Sequence, residues 1–296
     1  MKELNLPKNQ DIIRKEKPKG YKIKKISIPK EKLYELYYEQ KLSLQKIGEL
    51  YGKPREYIYR WMRKYGFKSR TKSDAWKHRG KDELYEINEK FFNSWTNKMA
   101  YVLGIILTDG NIAINSGCIS VSMKEENHLE KIKNMVGAEH PVKYQKQIDL
   151  FTFGFSRKVM TDKLLKLGIT SKKSLKVKFP NVPDKFLSHF VRGVFDGDGS
   201  VFFEHRSRKS PLRVSFTSGS KAFMTTLESK LHSHAGLRKR TIYQSLRKRM
   251  SYYIRYAHND SLKFFDYIYA GADESMWLER KHQKFLEGMK YDNVAT

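Results

Sequence analysis

Apolar positions recur along this chain first at helical spacing and then in a helix–strand alternation that runs twice. Leu33, Leu36 and Tyr37 form one helical stripe. Ser43 can cap a second helix carrying Leu44, Ile47 and Leu50 and stopping at Gly52. Pro54 suits the first turn of a third, with Ile58, Trp61, Met62 and Tyr65 inward and Gly66 ending it. Further on, Val102–Leu107 is too apolar for a surface helix, so its sides must be buried. Extended segments follow at Ile119–Met123, and in a second half at Ser200–Glu204 and Arg213–Thr217. Helical patterns come next, Leu129, Ile132 and Met135 ending at Gly137, and Phe223, Leu227 and Leu231 ending at Gly236. Strand pairs are expected at Val142–Tyr144 with Leu150–Phe155, and at Thr241–Leu246 with Tyr252–Ala257. Closing helices are expected at Met160–Leu167 and Ser261–Tyr269, and Ser171–Lys185 joins the halves. The fold class is α+β: two αββαββα repeats behind a small all-α N-terminal domain. The expected boundaries are 1–30, 31–80, 81–180 and 181–296.

The halves share a motif. Val102–Gly110 reads VLGIILTDG and Val191–Gly199 reads VRGVFDGDG, and Asp109 and Asp198 lie 89 residues apart. Such self-similarity indicates two like modules. Gly104 and Gly193 would let two helices touch backbone to backbone, and Gly110 and Gly199 are expected to end them in the left-handed conformation. Asp109 and Asp198 then stand at helix C-termini, where the macrodipole disfavours negative charge. An ordinary buried helix ending in an Asp-Gly turn accounts for either segment alone. The pair favours carboxylates kept for function, most simply to hold a divalent cation.

These two segments resemble the repeat motif of LAGLIDADG homing endonucleases in their single-chain, two-motif form. Asp196 and Asp198 match both acidic positions of the second copy. The first copy departs with Leu107 at the earlier acidic position and Thr108 at the small one. The resemblance covers about Leu84 to Asn293. It implies that Asp109 and Asp198 are catalytic metal ligands, and the expected metal site is Asp109, Asp198, Gly110 and Gly199. It also implies that Lys173 and Lys281 are the lysines near the active site, stabilising negative charge or helping to activate water. It further implies that the motif helices form a pseudo-twofold interface, and that two antiparallel sheets make a saddle over DNA.

Charge supports a polyanionic partner. The 296 residues carry 59 Lys and Arg against 32 Asp and Glu, a formal net charge of +27, with 39% hydrophobic and 13% aromatic residues, enough for real cores. Residues 1–80 alone hold a net +14. Residues 1–30 read either as a basic arm following phosphates or as a solubilising tail. The third predicted helix exposes Arg55, Tyr57, Tyr59, Arg60, Arg63 and Lys64, so the 31–80 segment resembles a helix-turn-helix. A generic three-helix interaction module has the same periodicity, and the basic face favours nucleic acid. Arg55, Tyr59, Arg60 and Arg63 are candidate DNA contacts there. In the second repeat the candidates are Arg206, Arg208 and Arg213 of one hairpin, Tyr243, Arg247 and Arg249 of the Thr241–Tyr256 hairpin, and Arg240 just before it. Cys118, the single cysteine, rules out a disulfide framework and is expected as a small buried strand residue. His205, His232, His234 and His258 show no metal-ligand spacing. Without a membrane span or signal-peptide core, a soluble intracellular protein is expected.

The function these features imply is site-specific double-strand DNA cleavage by a monomer reading a long asymmetric target. Mg²⁺ would serve as cofactor, Mn²⁺ would substitute, and Ca²⁺ would support binding without turnover. The rival readings are a non-catalytic DNA-binding regulator and an RNA maturase on the same scaffold.

Overall fold

The first apolar stripe folds into α1 (Lys30–Tyr34), which widens directly into a π-helical turn over Glu35–Glu39. The computed structural model describes residues 27–70, 85–170, 177–204, 211–245 and 250–293. The chain divides into two units, Met1–Lys81 and Asp82–Thr296. In the first, α2 (Leu44–Leu50) starts where Ser43 Oγ accepts a hydrogen bond from Lys46 N at 3.1 Å, and α3 (Arg55–Lys64) starts after Pro54. Ile28, Leu33, Leu36, Tyr37, Ile47, Ile58 and Met62 make its core. Leu50, expected inside, is 61% exposed. The inward row of α2 runs through positions 44, 47, 48 and 51 and leaves position 50 outside. Gly52 and Gly66 have φ of +59° and +71°, the left-handed turns the sequence required.

The second unit repeats one architecture twice. The first copy is α4 (Asn97–Asp109), β1 (Gly110–Ala113), β2 (Cys118–Met123), α5 (Glu126–Val136), β3 (Lys143–Gln145), β4 (Leu150–Ser156) and α6 (Lys158–Lys166). The second is α7 (Asp184–Asp198), β5 (Gly199–Phe203), β6 (Leu212–Ser218), α8 (Lys221–Ala235), β7 (Tyr243–Ser245), β8 (Ser251–Tyr256) and α9 (His258–Tyr269). A further helix, α10 (Glu279–Asn293), follows. The sheets have orders β1-β2-β4-β3 and β5-β6-β8-β7, antiparallel throughout. Their registers correspond, Gly110–Val121–Phe153 across the first and Gly199–Phe216–Ile254 across the second. Thus α+β with two αββαββα repeats is the observed fold.

Alternation sets the sheet faces. Ile112, Ile119, Val121, Phe153 and Phe155 point into the core of the first repeat, and Leu212, Val214, Phe216, Ile254 and Tyr256 into that of the second. Cys118, flanked by inward Ile119, falls on the outer face and is half-buried rather than buried. Strand β1 escaped the sequence reading because its four residues, GNIA, show no strand-like alternation, and pairing with β2 alone extends it. Gly137 and Gly236 end α5 and α8 in the left-handed conformation. No helix among the described residues is long and apolar enough to cross a membrane.

Candidate active site at the ends of the paired helices

Helices α4 and α7 form the centre of the second unit. Every residue from Met99 to Leu107 is buried, so α4 is enclosed on all sides. The helices meet at Gly104 and Gly193. A Cβ on Gly104 would stand 2.8 Å from Val194 N and 2.9 Å from Gly193 Cα, and one on Gly193 would stand 3.1 Å from Gly104 Cα. Backbone packs on backbone, which only glycine permits.

One turn further on, the helices end side by side. Thr108 and Gly197 occupy equivalent places, and a Cβ on Gly197 would collide with the Thr108 hydroxyl and stand 2.8 Å from Asp109 Oδ2. Asp109 and Asp198 are the last residues of α4 and α7. The chain then turns at once into β1 and β5. Gly110 and Gly199 have φ of −80° and −79°, extended rather than the expected left-handed backbone. Glycine is needed there for space: a Cβ on Gly110 would lie 2.7 Å from Ile106 Cα, and one on Gly199 2.6 Å from Phe195 O. Asp198 lines a cleft of about 460 Å³ that Asn111 borders from the first sheet and Thr217 and Ser218 from the second.

Residues 185–268 match the family model of a LAGLIDADG-like domain. The match spans 84 of the 296 residues and includes most of α7 and all of the second sheet. Among solved structures, the homing endonuclease I-WcaI bound to its DNA recognition sequence is 15% identical, covering 66% of this chain and 91% of its own at a TM-score of 0.45. Mesophilic variants of the homing endonuclease I-DmoI are 15% identical over 60% and 97%, at 0.44. Full-length DUF199/WhiA from Thermatoga maritima is 16% identical over 67% and 64%, at 0.41. No curated protein matches the chain.

Behind the acidic pair at the ends of α4 and α7 lies a buried polar cluster that the sequence reading missed. Asp196 Oδ2 accepts hydrogen bonds from Tyr101 OH at 2.7 Å and Leu278 N at 2.9 Å. The Tyr101 oxygen is also 2.8 Å from His128 Nε2, so the cluster ties α4 and α5 to α7. Burial pushes the Asp196 carboxyl up to about 6, against the pull of Lys281 and its hydrogen bonds, and pushes His128 down to about 4. Arg192, fully buried, donates from Nε to Met276 O at 2.5 Å and from Nη1 to Ile268 O, and its Nη2 is 2.8 Å from His189 Nδ1. The sequence signals were Asp196 at the earlier acidic position of the motif and an arginine inside an apolar helix.

Lys281 lies beneath the motif. It is 3% exposed, and its Nζ donates to Phe195 O at 2.6 Å, Asp196 O at 2.8 Å and Gly199 O at 2.6 Å. Burial lowers its pKa to about 8, against the pull of Asp196, Asp109 and Asp198. The resemblance implied a lysine near the active site, and the fold turns Lys281 towards the end of α7, with its donors on backbone carbonyls. The Gly199 carbonyl, beside Asp198, thus accepts one hydrogen bond from this ammonium. Lys173 lies outside the described residues.

The outer faces of the two sheets differ. The first presents Asn111, Ser120, Ser122 and Thr152, with Ser122 Oγ 2.8 Å from Thr152 Oγ1. The second presents Ser200, Arg213, Ser215, Tyr253 and Arg255 with Tyr243 at its edge. Tyr243 is 54% exposed and stacks on Tyr253, ring centroids 5.5 Å apart. Arg213 pairs with Glu204 at 2.8 Å, and the Arg255 guanidinium lies 5.4 Å from the Phe202 ring centroid. Arg240, a candidate DNA contact, pairs with the buried carboxylate of Asp260 at 3.0 Å. Arg206, Arg208, Arg247 and Arg249 lie outside the described residues, as does His205. His232 bonds Leu237 O, His234 is 3.5 Å from Asp184, and His258 accepts from Leu212 N, so these three lie in separate surroundings. In the first unit Arg55, Tyr59, Arg60 and Arg63 are all exposed on α3, while Tyr57 is half-buried.

Proposed function

We propose that this protein is a metal-dependent, site-specific double-strand DNA endonuclease. The observation that carries the reading is the convergence of Asp109 and Asp198 at the ends of two helices packed through Gly104 and Gly193, beside a cleft bordered by both sheets. Among the described residues no group of three or more His, Cys, Asp or Glu could hold a metal ion. A site of two carboxylates suits a hard cation such as Mg²⁺, which keeps waters and shares substrate phosphate oxygens, and does not suit zinc. Asp109 and Asp198 would hold it; Mn²⁺ should substitute, and Ca²⁺ should support binding with little turnover. When bound, the ion supplies a nucleophile from water and neutralises charge on the phosphate.

The chain's own residues do the rest. The glycine crossing fixes the carboxylates relative to one another. The polar outer faces of the sheets would lie against the grooves, Tyr243, Arg213 and Arg255 supplying contacts on one side and Asn111, Ser120 and Thr152 on the other. Helices α2 and α3 would act as a helix-turn-helix, with Arg55, Tyr59, Arg60 and Arg63 against DNA. With unlike sheets in one chain, the protein would read an asymmetric site as a monomer.

Incubation with randomised duplex DNA and Mg²⁺, followed by sequencing of cut ends, tests the reading. Defined cut sites are expected. Asp109→Asn and Asp198→Asn should each abolish double-strand cutting while leaving DNA binding within about tenfold, since a lost metal ligand costs chemistry more than docking. Specific binding without cutting by the wild type would make it a regulator, and binding confined to RNA would make it a maturase.

A further inference from the structure

We propose that Lys281 is a positioning residue for Asp198: its ammonium pins the junction of α7 and β5 and makes no contact with substrate. The inference rests on Asp198 being a metal-holding carboxylate. Carbonyls in the last turn of a helix have no intrahelical donors, and the helix end carries partial negative charge. A carboxylate placed there is pushed away from its own helix unless something offsets that field. At the end of α7 the offset is a whole buried cation.

The geometry is specific. An ammonium has three N–H donors, and Lys281 directs them to Phe195 O, Asp196 O and Gly199 O at 2.6, 2.8 and 2.6 Å. These carbonyls bracket Asp198, two before it and one after it. No donor remains for a phosphate. Three residues earlier, Leu278 N holds the Asp196 carboxylate at 2.9 Å, so one short segment grips the motif at two points. Lys281 stands in the first turn of α10, a helix beyond the repeated αββαββα unit. The chain thus carries a latch for its second motif 83 residues downstream of Asp198. All three bonds fall on α7 and β5 and none on α4 or β1, so the residue should act on one cleavage centre.

Two measurements on the full chain test this. The first is acetic anhydride labelling of the native wild type, with lysine modification followed by mass spectrometry. Lys281 should react at least about twentyfold more slowly than exposed Lys290, because its amine becomes available only on local opening. Equal reactivity would overturn the placement. The second is strand-resolved cleavage by Lys281→Met. The strand lost in Asp198→Asn should slow by about a hundredfold or more, and the other strand should stay within about tenfold. Equal loss on both strands, or no loss, would remove the positioning role. Should Lys281→Met fail to fold, Lys281→Arg keeps the charge but cannot aim a planar fork at three carbonyls, and the same strand bias is expected. A wild type that cuts nothing while Lys281 stays protected would end the nuclease reading and leave the placement standing. One that cuts normally with a reactive Lys281 would end this inference alone.

Discussion

At Gly197 there is no room for a single methyl group. Its missing Cβ is where the Thr108 hydroxyl sits, and Asp109 Oδ2 is 2.8 Å from that point. Gly197→Ala should therefore cost about 1–3 kcal/mol in urea unfolding and slow cleavage at Asp109, the carboxylate of the other repeat. An alanine variant with unchanged midpoint and rate would show that the helix ends do not meet. His128 makes a second prediction. Burial keeps its imidazole neutral in the folded protein down to about pH 4, whereas the unfolded chain protonates near 6.5. Unfolding thus takes up a proton between those values, and stability declines as pH falls through that window. His128→Gln should lose less stability than wild type between pH 7 and pH 4.5, measured by urea midpoints. A wild-type-like acid decline in the variant would refute the buried-imidazole account.

Between elements, the contact of α4 with α7 matters most because both carboxylates hang from it. Gly193→Leu would force a four-carbon side chain against the backbone of Tyr101 and Ile105. The helices must separate, and the expected destabilisation exceeds about 3 kcal/mol. Cleavage of both strands should fall although the change lies in one repeat. Thermal melts together with strand-resolved assays check it, and loss confined to one strand would argue against a shared interface. Helix α10 contrasts with α4 and α7: its packing adds no motif residue of its own, yet its first turn supplies Lys281 to the end of α7.

At the scale of the chain, cationic charge is concentrated in particular places. The outer face of the first sheet carries hydroxyls, amides and Lys143, that of the second arginines and tyrosines, and α3 of the first unit exposes three arginines. If α3 follows phosphates, Arg55→Ala, Arg60→Ala and Arg63→Ala combined should weaken binding at all sequences. The slope of log K against log salt should flatten by about 0.9 per lost phosphate contact. Fluorescence anisotropy from low to moderate salt measures both. An unchanged slope would take α3 off the DNA.

Local sequence determined the elements. Apolar spacing and glycine punctuation placed α2, α3, α5 and α8 with their ends, because a turn needing positive φ leaves its mark on a single residue, as Gly52, Gly137 and Gly236 show. The duplicated motif placed Gly104 opposite Gly193, since a repeated module must pack on its copy. Tertiary structure decided what depends on residues far apart in sequence. Strand β1 exists only against β2. Gly110 and Gly199 are extended because each helix runs straight into a strand, and their glycine serves space rather than φ. Arg240 turned to Asp260 and Lys281 to the end of α7, since the partners that fix them lie 20 residues away or more. Charge and hydrogen-bonding capacity are written in the side chain; which acceptor a buried cation finds is settled only when the chain has packed.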